Sequence, residues 1–219
     1  MTWLILALAA VAGFAVCAAA VTQQHWLYRQ PEYRSEPLSG RRRRAYMAGA
    51  GISGAMAWGL AVRAGDGDAA GTAVLMLFST ILVVLASTDF ERRLLPNRLM
   101  YPAFVLAALL CWAWPGHSLT AAWVGAGVAA GAAVLLLVVG LVFGVLLRVR
   151  VMPFGIGDAK LIVLIGLIVG WPNMMTALFV GMVAAGIPSI VMIARGQRKS
   201  VFSYGPYLAA GALAVMLLA

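Results

Sequence analysis

The chain has 219 residues, of which 63% are hydrophobic and only 11% charged, with a net charge of +9. That composition excludes an ordinary soluble domain, in which about a quarter of the residues are charged. The alternating pattern of a transmembrane barrel is absent as well. What remains is an all-α, polytopic membrane bundle, because lipid leaves the backbone no other way to pair its polar groups.

In chain order the apolar runs predict about eight membrane segments. The first covers about 2–22. No Lys or Arg precedes it, so it reads as a retained helix rather than a cleaved signal peptide. A polar stretch, 23–45, ends in Arg41-Arg42-Arg43-Arg44, and a second helix is expected over 46–63. The turn Gly65-Asp66-Gly67-Asp68 leads to a third helix over 70–88, which ends at Asp89. The fourth, 98–114, closes at Pro115-Gly116, and the fifth runs over 120–147. The sixth follows Asp158 and reaches Trp171-Pro172, and the last two cover 173–194 and 204–219. The sixth has about 13 residues, or about 20 Å, against a hydrocarbon core of about 30 Å. The pairs Gly127/Gly131, Gly140/Gly144 and Gly166/Gly170, each four apart, are expected to pack helices closely.

Charge sets the sidedness. If every segment crosses, the loops at 23–45, 89–98, 148–160 and 195–199 share one face and hold 15 of the 16 Lys and Arg residues. Arg63 alone lies opposite. Under the positive-inside rule that face is cytoplasmic, both termini are outside, and 1–219 forms one membrane domain with a short basic loop at 23–45. The basic residues decorate loops rather than a soluble module, which excludes nucleic-acid binding and suits anionic lipid near Arg41 to Arg44. Cys17 and Cys111 read as small buried hydrophobes. His25 and His117 flank helices and read as interfacial, so neither a zinc site nor another cofactor is expected.

Seven carboxylates are present, and two of them, Asp89 and Asp158, stand where long apolar segments meet basic loops on the same face. Taken alone, Asp158 after Gly155 and Gly157 is also a good helix N-cap, and Asp89 could belong to a solvated charged turn with Glu91, Arg92 and Arg93. Glu91 itself reads as solvated. Taken together they form a pair of like charges that cannot both ionise easily, so one retains a proton. The ionised member can take a proton from water while the protonated one polarises a carbonyl, which is peptide hydrolysis without a covalent intermediate. The chain offers no competing catalytic constellation. Two other classes use similar features: a proton- or cation-coupled transporter with carboxylates in its bundle, and an inactive scaffold of a secretion machine.

The string Gly155-Ile156-Gly157-Asp158-Ala159-Lys160-Leu161 resembles the G-x-G-D-x-K-L motif of the prepilin peptidases, the type IV leader peptidases among the G-x-G-D intramembrane aspartyl proteases. Asp89 with Leu95-Pro96-Asn97 is similar to that family's other segment, and Phe202-Ser203-Tyr204-Gly205-Pro206-Tyr207 to its late "PFGP" stretch. The resemblance spans about 75 to 219. It implies that Asp89 and Asp158 are the catalytic pair, acting on pilin-like precursors with a short basic leader at the cytoplasmic face of a bacterial inner membrane. It also implies that Lys160 biases the charge of the pair and that Gly155 and Gly157 shape its turn. Pro96 and Asn97 would orient the Asp89 loop and start the fourth helix, and Gly205-Pro206 would line the substrate groove. Longer members carry a cytoplasmic domain with paired C-x-x-C and methylate the mature pilin using S-adenosylmethionine. Here 23–45 contains no cysteine, which argues against a zinc site and against methyl transfer. The short form is similar to peptidases of Tad/Flp-type pilus or competence systems.

Overall fold

The computed structural model describes residues 2–29, 40–146, 155–194 and 203–218. Among these residues it contains eight α-helices: α1 (Thr2–Thr22), α2 (Gly40–Ala64), α3 (Ala69–Arg92), α4 (Asn97–Leu110), α5 (Leu119–Leu146), α6 (Ile156–Val169), α7 (Asn173–Ala194) and α8 (Gly205–Leu218). Short 3₁₀ turns follow α1 and α4. Several expectations fall outside the described residues: the middle of the 23–45 loop, Arg148 and Arg150, the basic stretch 195–199, and Phe202. So do the His25 side chain and the packing of Gly144.

The all-α class holds, and five helices, α1, α2, α3, α5 and α7, are long and apolar enough to cross a membrane. The other three have 14 residues each, about 21 Å at 1.5 Å per residue. They are held by neighbours rather than by length. α6 runs beside α5, where Trp171 N donates to Ala121 O at 2.8 Å just past its C-terminus. A Cβ on Gly166 would fall 2.5 Å from Gly125 O, so the two backbones touch there. Counting back from this contact, α6 begins roughly 15 Å short of the far end of α5.

α3 is the centre of the bundle. Of its apolar stretch 56% is buried, against 22–28% in the other four long helices. Phe78, Leu82 and Leu85 from α3 meet Met100 of α4, Leu161, Leu164 and Ile165 of α6 and Met174 of α7 in the main core. A smaller core joins Cys17 and Val21 of α1 to Ala50 of α2 and to Val83 and Val84 of α3. One polar chain crosses the interior: Trp58 donates to Thr80 Oγ1 at 3.1 Å, and Thr80 donates to Met76 O at 2.9 Å. Both cysteines are free and buried, as expected.

Two expectations are corrected. α2 begins at Gly40, not near 46, so the four arginines are helical; Arg is a good helix former, and Arg44 Nε braces the first turn on Gly40 O at 3.3 Å. Gly127 and Gly131 face open space, and it is Gly125 and Ala129 that meet Gly166, a shift of two residues in register. Gly166 and Gly170 do share a closely packed face, since a Cβ on Gly125 would also fall 2.9 Å from Gly170 C, and Gly170 in addition ends α6 with φ 73°. His117, expected to be interfacial, is half-buried in the loop between α4 and α5. It stacks 5.8 Å from Trp114 beneath the end of α6, and burial holds its imidazole below its ordinary value, hence neutral at pH 7.

Candidate active site

Local sequence sets how each carboxylate is carried. Asp68 caps the start of α3, accepting from Ala70 N and Gly71 N at 3.1 and 2.9 Å. The other end is closed by Arg93 in the left-handed conformation, φ 52°, whose N–H donates to Asp89 O at 2.8 Å. Asp89 therefore belongs to the last turn of α3 rather than to the loop beyond it. It is only 6% exposed, which rules out a solvated charged turn. Its Oδ2 accepts the Ser203 hydroxyl and the Gly205 N–H, the latter at 3.1 Å. Gly205 opens α8, and a Cβ there would lie 2.6 Å from Oδ2. No other residue fits so close.

Asp158 is not the N-cap of α6 but its third residue; Gly155 is the cap, in an extended conformation. The carboxylate reaches back and accepts from Gly155 N at 3.2 Å, the N3 half of a capping box, since glycine has no side chain to complete it. Neither Gly155 nor Gly157 has positive φ, so the turn does not require glycine for its dihedral angles. What Gly157 allows is contact: a Cβ there would be 3.3 Å from Leu95 Cδ1.

Asp89 and Asp158 line one cavity of about 250 Å³, with Arg93, Leu95, Asn97 and Lys160 among its walls. Among the described residues no hydrogen bond joins the two carboxylates, so they are separate groups facing one space. Lys160 does not hang free at a helix end. Its Nζ donates to Asn97 Oδ1 at 2.9 Å and Tyr101 OH at 3.1 Å, and sits 4.9 Å from the Tyr101 ring centre. It thus ties α6 to α4. Pro96 stands as the cap before Asn97, the first residue of α4, in keeping with the expected start. Gly205 lies buried against Asp89, whereas Pro206 faces a second, apolar groove.

Glu91 overturns the solvated reading. Its side chain is 8% exposed, and it accepts from Gln24 Nε2, from Tyr28 OH at 3.0 Å and from Arg92 Nε at 3.0 Å. Burial, and then the Glu91 charge, push the Tyr28 phenol well above its ordinary value, so it stays a donor. Arg98 Nη1 holds Trp26 O at 3.1 Å, so the segment after α1 clamps both sides of the Asp89 loop. Glu91, Ser203 and Tyr101 escape a reading of the sequence. Ser203 is visible there only as part of the 202–207 stretch, and Tyr101 only as lying four residues after Asn97 and so on the same helix face.

Fold and cavity together define a multi-pass helical membrane protein with a paired-carboxylate pocket at the ends of two helices. A model of the type IV leader peptidase family matches residues 76–190, a stretch that contains both aspartates. The chain belongs to the type IV leader peptidase family, and peptidase activity follows from that membership. No curated protein and no solved structure matches the chain.

Proposed function

We propose that this chain is an aspartic-type endopeptidase that removes the short basic leader from pilin-like precursors, with Asp89 and Asp158 as the catalytic pair. The observation that carries the reading is that both carboxylates, 69 positions apart in sequence, line the same small cavity. One of the pair takes a proton from the attacking water, and the other, protonated, donates to the scissile carbonyl oxygen. The tetrahedral intermediate then collapses, the leaving amine takes a proton, and the dyad returns to its starting state. Lys160, held by Asn97 and Tyr101, is a nearby positive charge that favours a single shared proton over two.

The site faces the cytoplasm of a bacterial inner membrane, with eight crossings and 15 of the 16 Lys and Arg residues on that side. At the same face Arg41 to Arg44 meet anionic headgroups. The residues form a single membrane domain, and the absence of cysteine from 23–45 argues against a zinc site and against methyl transfer.

Cleavage of a co-expressed pilin precursor tests this. Asp89→Asn and Asp158→Asn, each checked for accumulation in the membrane, are expected to lower cleavage by about 10² to 10⁴-fold. If both variants cleave as wild type does, the dyad assignment fails.

A further inference from the structure

On the other side of the α3–α8 contact lies an apolar groove of about 470 Å³, between α2, α3 and α8. Its α2 wall includes Tyr46, Gly49, Ala50 and Ser53. Those positions follow Arg42 by 4, 7, 8 and 11 residues, so Arg42 continues the same helical stripe toward the end of the helix. Over Arg42 to Ser53 the stripe is roughly 16 Å long. The α3 wall contributes Ser87, only 7% exposed, whose hydroxyl has no partner among the described residues. A serine in a helix normally bonds a carbonyl of its own preceding turn. Left unpaired in an apolar slot, this hydroxyl fits an occupant that carries oxygen as well as hydrocarbon.

We infer that the groove is a binding site for one anionic phospholipid, its phosphate on Arg42, its ester oxygens at Ser87 and one acyl chain along Gly49, Ala50 and Ala210. Charge complementarity selects this occupant. A guanidinium pairs with phosphate bidentately, and a hydroxyl one turn inside the slot matches the linkage between headgroup and chain. A bare apolar helix would bring no counter-charge to Arg42. The site is separate from the dyad cavity and does not depend on peptide hydrolysis. It nonetheless abuts Phe90 and Tyr207, which touch at 6.2 Å beside Asp89 and Gly205.

The test is native mass spectrometry of the purified full chain in detergent, titrated with phosphatidylglycerol or phosphatidylcholine. One phosphatidylglycerol is expected to be retained in preference to phosphatidylcholine. Arg42→Gln and Ala210→Trp, the latter at an exposed position inside the groove, are each expected to weaken it about tenfold or more. Arg44→Gln removes the same charge two residues away, off the stripe, and is expected to change binding less than twofold. Equal losses for Arg42→Gln and Arg44→Gln would mean diffuse attraction to a basic end and would overturn the site. So would retention of both lipids alike, unaltered binding in Ala210→Trp, or displacement of phosphatidylglycerol by a pilin precursor, which would make the groove a seat for the precursor's helix.

Discussion

The two aspartates share a cavity but are held in opposite ways. Asp89 is buried and is set by residues 114 and 116 positions away, Ser203 and Gly205. Asp158 is set by Gly155, three positions away in its own first turn. One carboxylate is fixed by tertiary structure and the other by local structure. A displacement of α8 should therefore reach Asp89 and leave Asp158 where it is.

The sharpest way to break this comparison is to add one methyl group to each support. Gly205→Ala puts a Cβ 2.6 Å from Asp89 Oδ2, and the displacement is expected to cost about 100-fold in precursor cleavage. Gly155→Ala places its Cβ at an ordinary 3.4 Å from Asp158 Oδ2 and is expected to stay within about threefold, given the tolerance of a helix cap. Equal losses in the two cleavage assays would end the asymmetry. Next in size is Lys160→Met, which frees Asn97 and Tyr101 and loosens α6 from α4. A loss of about tenfold is expected, equivalent to about 1.4 kcal/mol in kcat/KM.

Smaller effects test the clamp behind Asp89. Glu91→Gln keeps the shape but removes the charge from three hydrogen bonds, and about 1.5–3 kcal/mol of stability should be lost in thermal unfolding in detergent. Tyr28→Phe removes one of those bonds and should cost about 1 kcal/mol. Folding raises the Tyr28 phenol above its ordinary value of 10.0, so its contribution is constant below pH 10 and falls as the pH climbs past it. An unfolding series in Tyr28→Phe should lack that alkaline slope.

The helical class, the run of apolar segments and the paired aspartates were legible in the sequence, because hydropathy, helix-end charge and short motifs are local signals. Long-range partners were not. Nothing adjacent to Glu91 announces Gln24 and Tyr28, and three charged neighbours make it look solvated. Glycines four apart mark a face that permits close approach, but not which face is used. Gly125 and Gly166 touch while Gly127 and Gly131 do not, because register depends on the partner helix. The same holds for Ser203, whose role appears only once α8 is seated against α3.

The distance between Asp89 and its amide partner has a consequence for how the protein is made. A chain synthesised from its N-terminus produces Asp89 116 residues before Gly205. At about 5–20 residues per second, the carboxylate waits roughly 6 to 23 s, already in an emerging membrane helix, for the group that will hold it. Until then α3 carries a carboxylate whose backbone partner has yet to be made.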